Sequence, residues 1–510
     1  MAISRSYLVN RYVDALHEED AALFIGAGMS RNSGFVDWKG LMRDCAKELG
    51  LDVDLEHDLV AVAQYYLNKR MDRSRLNQIL TDEFGKPGTI SANHKLIARL
   101  PVSSIWTTNF DSLIEDSFKA ANRILDVKST DENIATHKKG REVILYKMHG
   151  DIAMPNKVII CKDDYERYAR DHEVFQNALE GELISRTFLF LGFSFTDPHL
   201  EYMLGHLRSL LENSKREHYA IMREVREDWS KGKEGVRSFK YAKNKQKLQI
   251  RDLQRYSIQT HLVEKFSDVT DILDLVEQRY NQKNIFVSGS AHDFGTFGET
   301  RMRTLCKQLG ERLMKGKYKL VSGYGLNIGS SVVEGALLNL YENGDSALEK
   351  HLLLRPFPRD TPSIEAEYHR NNREYMVRRC EFAIFIAGTS RSSAESAGVM
   401  EEYEMTRRLG KFPIPIGATG FAARRIWELM QPELNTIFHG AVRLRLFQRL
   451  NNPNISNERL LDAVFEVITK VSAIERINRN QVQTLPSEKV GRPLIGGQIE
   501  RRLKKRRRHS

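Results

Sequence analysis

AALFIGAGMS, residues 21–30, is a run of five apolar residues that stops at Gly26-Ala27-Gly28 and is closed by Ser30. A short apolar run of this kind reads as a strand buried on both faces. Glycines placed directly after it let backbone N–H groups come close to a phosphate. The same pattern of apolar run and polar stop recurs in SSIWTT (103–108), VILYKM (143–148), TFLFLG (187–192), HYAIM (218–222) and IQTHLV (258–263). It begins again at NIFVSG (284–289) and continues through KLVSGYG (319–325), HLLLRPF (351–357), EFAIFIAG (381–388) and FPIPIGA (412–418). Amphipathic stretches separate the runs, so the chain predicts an α/β fold of two Rossmann-like parallel-sheet domains.

The restart sets the boundaries. DVTDILDLVEQRYNQ (268–282) reads as a closing helix, giving a first domain over 1–282, a second over 283–476 and a disordered basic tail over 477–510. The Lys-rich segment from Asp228 to Gln249 reads as an exposed excursion. A length of 510 residues accommodates two or three domains, and 41% hydrophobic with 28% charged residues excludes wholesale disorder. The net charge of +11 is concentrated in Arg501 to Arg508, which holds seven basic residues and no acidic one. Without interleaved aromatic residues that stretch offers no stacking platform, and no specific nucleic-acid partner is expected. Cys45, Cys161, Cys306 and Cys380 are too scattered for a disulfide framework or a zinc site, so no metal is expected. No apolar run reaches about 18 residues, and the expectation is a cytoplasmic protein without a membrane partner.

Three polar stops carry the chemistry of the first domain: the glycine loop, Thr107-Thr108-Asn109-Phe110-Asp111, and Lys147-Met148-His149-Gly150-Asp151. Each falls at the carboxyl end of a predicted strand, the ligand-binding edge of an open α/β sheet. Singly, the glycines read equally as a tight turn, Asn109 as a neighbour of a helix cap and His149 as a structural histidine. In this order they resemble the sirtuin family. The resemblance implies a catalytic pair, Asn109 to orient the ribose or the attacking water and His149 as general base. It also implies NAD+ contacts from Gly26, Ala27, Gly28, Ser30, Asp37, Thr108 and Asp111, and from Gly192, Ser194 and Asp197 at the adenosine end. Thr108 stands where sirtuin deacylases carry Gln, and their four-cysteine zinc module is absent, so water rather than an acyl-lysine is the expected nucleophile. An NAD-dependent deacylase and a non-catalytic nucleotide sensor are the alternatives.

In the second domain, Ser288-Gly289-Ser290 and Gly323-Tyr324-Gly325-Leu326-Asn327 follow predicted strands. Such glycines and hydroxyls beside a helix start favour phosphate, although capped tight turns give the same pattern. Arg370 and Arg373 lie three apart on one predicted helix, and Glu402 follows the fourth strand run. This arrangement resembles the SLOG superfamily, which implies a nucleotide-derived ligand bound by Ser288, Gly289, Ser290, Gly323, Gly325, Asn327, Arg370 or Arg373, and Glu402. A sirtuin-like domain followed by a SLOG domain resembles the effector family of the bacterial Thoeris anti-phage system. That implies an NAD+ glycohydrolase, switched on by a cyclic ADP-ribose isomer from a TIR-domain partner and acting as a homo-oligomer, tetramer or larger.

Overall fold

The computed structural model describes residues 2–211, 216–226, 232–357, 365–391 and 395–484. The chain forms two compact units, Met1–Asn281 and Gln282–Ser510. In the first, seven strands form one parallel sheet: β1 (Ala21–Ile25), β2 (Ser104–Thr107), β3 (Leu125–Lys128), β4 (Val143–Lys147), β5 (Thr187–Leu191), β6 (His218–Arg223) and β7 (Ile258–Val263). Their spatial order is β3-β4-β2-β1-β5-β6-β7. Residues alternate across the sheet as a strand's period of two requires. Along β1, Leu23 and Ile25 join one apolar layer, while Ala22 and Phe24 join the other. A third, smaller core gathers the helices Trp38–Leu49, Leu59–Arg70 and Ser74–Phe84 around Val158 and Ile160.

In the first unit two features differ from the sequence reading. β3 was not expected, because its LDVK is half charged. Asp126 and Lys128 are nonetheless buried, and they pair with each other at 3.0 Å. The Lys-rich segment, read as an exposed excursion from Asp228 to Gln249, is largely exposed where described but is helical, within Gly232–Arg255, and 228–231 lie outside the described residues. Its buried Gln246, Ile250 and Leu253 follow at spacings of three and four, so one stripe packs inward while Lys240, Lys245 and Lys247 are exposed.

The second unit carries β8 (Asn284–Ser290), β9 (Lys319–Ser322), β10 (Leu352–Leu354), β11 (Phe382–Ala387) and β12 (Phe412–Ile416), all parallel, in the order β10-β9-β8-β11-β12. The helices Glu299–Lys315 and Ile328–Glu342 cross at glycines. A Cβ on Gly335 would fall 1.9 Å from the Lys307 carbonyl oxygen, and one on Gly310 would fall 2.0 Å from that of Val332. Gly335→Ala should therefore destabilise this unit by about 1–3 kcal/mol, even though alanine favours a helix by about 1 kcal/mol. A lower denaturation midpoint for the unit checks this. The last helix, Asn457–Thr484, runs past the expected domain end at 476, and the basic stretch 501–508 lies outside the described residues.

In both sheets the chain leaves its first strand on one side and later returns on the other. This creates topological switch points between β1 and β5 and between β8 and β11. Crevices beyond the carboxyl ends of such strands are where open α/β sheets bind ligands.

Candidate functional site

At the β1/β5 switch point the glycines serve first to let two loops touch. The Gly26 N–H donates to the Leu191 carbonyl (2.9 Å) and the Gly28 N–H to that of Gly192 (3.0 Å). A Cβ on Gly26 or Gly28 would lie 2.6 or 2.8 Å from the Gly192 oxygen, and Gly192 itself has φ +63°. Ala27 opens the short helical turn Ala27–Met29 that leads to Ser30.

The β2/β4 register pairs Thr107 with Lys147, so Asn109 and His149 each leave the sheet two residues beyond a paired position. The Thr107 hydroxyl donates to Ile25 O (2.9 Å) and accepts from Asn109 N (3.0 Å), fixing the turn. Asn109 Nδ2 donates to Gly26 O (3.3 Å) and Ser30 Oγ (3.0 Å), and Ser30 Oγ donates to Asp111 Oδ2 (2.7 Å). Asn109 Oδ1, although buried, has no hydrogen-bond partner. A buried orphan acceptor costs about 1–3 kcal/mol, and such an atom just beyond the carboxyl end of a strand at a switch point is suited to a ligand's hydroxyl. Asp111 also caps the following helix by accepting from Leu113 N (3.0 Å). Thr108 is half-buried beside it.

One residue that the sequence reading passed over holds both loops. Lys147, 1% exposed, donates to Phe110 O (3.2 Å), Asp111 O (2.8 Å) and Glu115 Oε1 (2.8 Å), and its Nζ lies 2.6 Å from Asp151 Oδ2. Burial works to lower its pKa, but Glu115 and Asp151 outweigh burial and hold it above the ordinary lysine value. Its signal in the sequence was its position, a lysine inside the apolar run VILYKM, where only a paired charge is tolerated.

His149 is 2% exposed, and burial pushes its pKa below the ordinary histidine value, against the pull of Asp197. Its Nε2 lies 3.3 Å from Asp197 Oδ2 without the alignment of a hydrogen bond. The sirtuin resemblance implies Asp197 at the adenosine end of NAD+, and in the fold its carboxylate lies beside the histidine. It also lines a small cavity of about 50 Å³ with Phe195, Gln249 and Tyr256, so the Lys-rich helix contributes a wall. Ser194 is exposed and shares a 2.7 Å hydrogen bond with Thr196. Asp37 stands apart: it caps Trp38–Leu49 through Gly40 N (2.9 Å) and lines an open concavity of about 580 Å³ with Arg31, Lys39 and Arg43.

At the β8/β11 switch point, Ser288 Oγ donates to Glu402 Oε2 at 2.5 Å. Arg373 reaches Glu401 (2.9 Å) and Glu402 (3.4 Å) and lies over the Phe357 ring at 4.9 Å. Burial raises the pKa of Glu402, while Ser288 and Arg373 pull it back. Ser290 Oγ donates to Thr389 O (2.8 Å), joining the ends of β8 and β11. Gly289 and Gly325 are backbone contacts, because a Cβ on Gly325 would lie 2.0 Å from Gly289 O, and Gly323 gives room to Phe357. Asn327, at φ +60°, is held by donating to Ala291 O (2.7 Å) and accepting from Arg303 (3.1 Å). Of the two candidate arginines, Arg373 enters the cluster and Arg370 is exposed.

All four cysteines are free and buried, and burial pushes the Cys45 and Cys161 thiols up to about 11 and Cys306 to about 12. None is poised as a thiolate nucleophile. Among the described residues, no group of three His, Cys, Asp or Glu side chains is placed to hold a metal ion, and no helix is long and apolar enough to cross a membrane.

Fold and crevices define a protein that joins a SIR2-like domain to a SLOG domain. A model of the SIR2-like domain matches residues 103–247, and one of the Sir2- and TIR-associating SLOG family matches residues 268–471. The chain is similar to the NAD(+) hydrolase ThsA of Bacillus cereus (strain MSX-D12), 37% identical over 470 residues that cover 91% of this chain and 98% of the relative. It is 37% identical over 475 residues to the NAD(+) hydrolase ThsA of Acinetobacter baumannii (strain 532279), covering 90% and 98%. A shorter likeness, 25% over 198 residues, links it to Defense-associated sirtuin 2 of Bacillus subtilis, covering 38% of this chain and 19% of that one. The chain belongs to the ThsA family.

Proposed function

We propose that the protein is an NAD+ glycohydrolase of Thoeris anti-phage defence, cleaving NAD+ to nicotinamide and ADP-ribose. The observation that carries this reading is the convergence of Asn109 and His149 at neighbouring strand ends, with the Asn109 amide oxygen unpartnered. Asn109 Oδ1 accepts a hydroxyl of the nicotinamide ribose or of the attacking water. Nicotinamide leaves through an oxocarbenium-like state, and water takes its place, with His149 as general base. Gly26, Ala27, Gly28, Ser30, Thr108, Asp111, Gly192 and Ser194 frame the NAD+ crevice, and Asp37 borders its approach.

The second unit binds a cyclic ADP-ribose isomer made by a TIR-domain partner. Arg373 takes the phosphates, Glu402 and Ser288 the ribose hydroxyls, and the loops around Gly289, Ser290, Gly323, Gly325 and Asn327 shape the floor. Binding favours the active arrangement of a cytoplasmic homo-oligomer, and a ligand with equal affinity for both states would shift nothing.

The test is nicotinamide release from NAD+ by the full-length protein with and without cyclic ADP-ribose isomers. Release that depends on an isomer is the expected result. No release under any condition would reduce the protein to a nucleotide sensor, and acyl transfer from an acetylated peptide would make it a deacylase. Arg373→Ala should abolish the response to the isomer in a protein that still folds, and an unchanged response would remove Arg373 from the signal site.

The pH profile supplies a further check. A general base works only when deprotonated, and burial lowers the pKa of His149. The acid limb of kcat/KM should therefore fall below the ordinary histidine value of about 6.5, leaving activity level through neutrality. A limb above that value would assign it to another group.

A further inference from the structure

We infer that Asp197 is a positioning residue for His149, holding the imidazole in the tautomer that leaves Nδ1 free to accept a proton. This inference rests on the reading of His149 as the general base. Asp197 Oδ1 accepts from His199 N (3.1 Å) and Leu200 N (3.0 Å) at the start of the helix Pro198–Leu211. Its Oδ2 accepts from the Tyr165 hydroxyl (3.1 Å) and lies 3.3 Å from His149 Nε2. Both side chains are nearly sealed, at 2% exposed for His149 and 9% for Asp197. Three donors hold the carboxylate in place, and its remaining direction is toward the imidazole.

The other groups around His149 leave this role to Asp197. Tyr165 stands edge-on to the imidazole at 5.6 Å, and Tyr168, at 6.4 Å, donates its hydroxyl to Met148 O (3.0 Å). His172 pairs with Asp131 at 2.8 Å. His199 stacks on Tyr165 at 4.8 Å, and burial brings its pKa down to about 4, so it is neutral in the working range. Asp197 is thus the carboxylate that meets the ring.

Once that 3.3 Å contact closes into an Nε2–H bond to Asp197, Nδ1 carries the free lone pair. Deprotonation of a ribose hydroxyl or water breaks its O–H bond and forms N–H at Nδ1, and the electron pair remains on the oxygen. The resulting imidazolium is stabilised by a carboxylate already in place. The 3.3 Å contact is loose for a hydrogen bond, and catalytic contacts of this kind commonly tighten when substrate binds.

The experiment compares nicotinamide release by full-length wild type, Asp197→Asn and His149→Ala, with a cyclic ADP-ribose isomer present, across the acid limb. Asparagine retains the helix cap but loses the charge, and its amide N–H would force the opposite imidazole tautomer. Expected for Asp197→Asn are a kcat lower by roughly 10²-fold or more, an unchanged KM for NAD+ and an acid limb moved to lower pH. Unchanged kcat with a raised KM would show that Asp197 holds NAD+ itself, and no change in either would reduce it to a helix cap. Both outcomes overturn the inference. If Asp197→Asn does not fold, Tyr165→Phe keeps the carboxylate, the cap and His149 while removing one bond to Oδ2. A several-fold loss of kcat at constant KM is then expected, and an unchanged kcat overturns the inference. Full turnover by His149→Ala would overturn the general-base reading and this inference with it. An inactive His149→Ala beside a fully active Asp197→Asn would overturn this inference alone.

Discussion

Alanine at Asn109 or at His149 is expected to lower NAD+ hydrolysis by about 10² to 10⁴-fold while the protein remains folded. Neither side chain is central to an apolar core. Asn109 contributes two side-chain hydrogen bonds, to Gly26 O and Ser30 Oγ, while Thr107 independently holds the backbone turn. His149 contributes a loose contact to Asp197 and edge contacts to two tyrosines, and its main-chain oxygen, which accepts from Ile159 N at 3.0 Å, survives the substitution. Nicotinamide release measured beside a thermal melt separates the two effects. Turnover within tenfold of wild type in a folded variant would remove that residue from the catalytic pair.

Lys147→Met should lower the stability of the first unit by about 3–5 kcal/mol. The deletion leaves Glu115 facing no cation from this lysine and strips a donor from the Phe110 and Asp111 carbonyls. Deleting one member of a buried ionic group is costly because the surviving charge stays buried without its partner. Combining Lys147→Met with Glu115→Gln and Asp151→Asn should recover part of the loss. Denaturation midpoints of the first unit check both statements, and a shift of the single variant below about 1 kcal/mol, the scale of an exposed pair, would contradict the burial argument. Since Lys147 holds the Asn109 loop and lies next to Asp151 in the His149 loop, residual folded protein should also lose turnover.

Most of the fold is legible because its central strands are buried on both faces, so AALFI, SIWT, TFLFL and FAIFIA read as uninterrupted apolar runs. β3 escapes that reading because its buried positions carry a lysine and an aspartate that satisfy each other, an arrangement that composition alone scores as surface. The helix Gly232–Arg255 escapes because its lysines dominate the composition while a narrow stripe does the packing. In the site, Asn109 and His149 are legible as polar residues ending strands. The choice between Arg370 and Arg373 is not, since residues three apart share a helix face and only the place of Glu401 and Glu402 separates them. The approach of Asp197 to His149 is also hidden. It joins the ends of β4 and β5, which are not neighbours in the sheet, through a helix that brings Tyr165 between them.

The seam between Gly26, Gly28 and Gly192 has a consequence for how this protein can vary. The two loops meet backbone to backbone, with separations that a methyl group would violate. Every amino acid other than glycine carries a Cβ, so any substitution at the seam meets the same obstacle. The backbone spacing between the two loops is therefore a fixed dimension of the first unit, and changes of specificity must come from side chains that do not touch the seam.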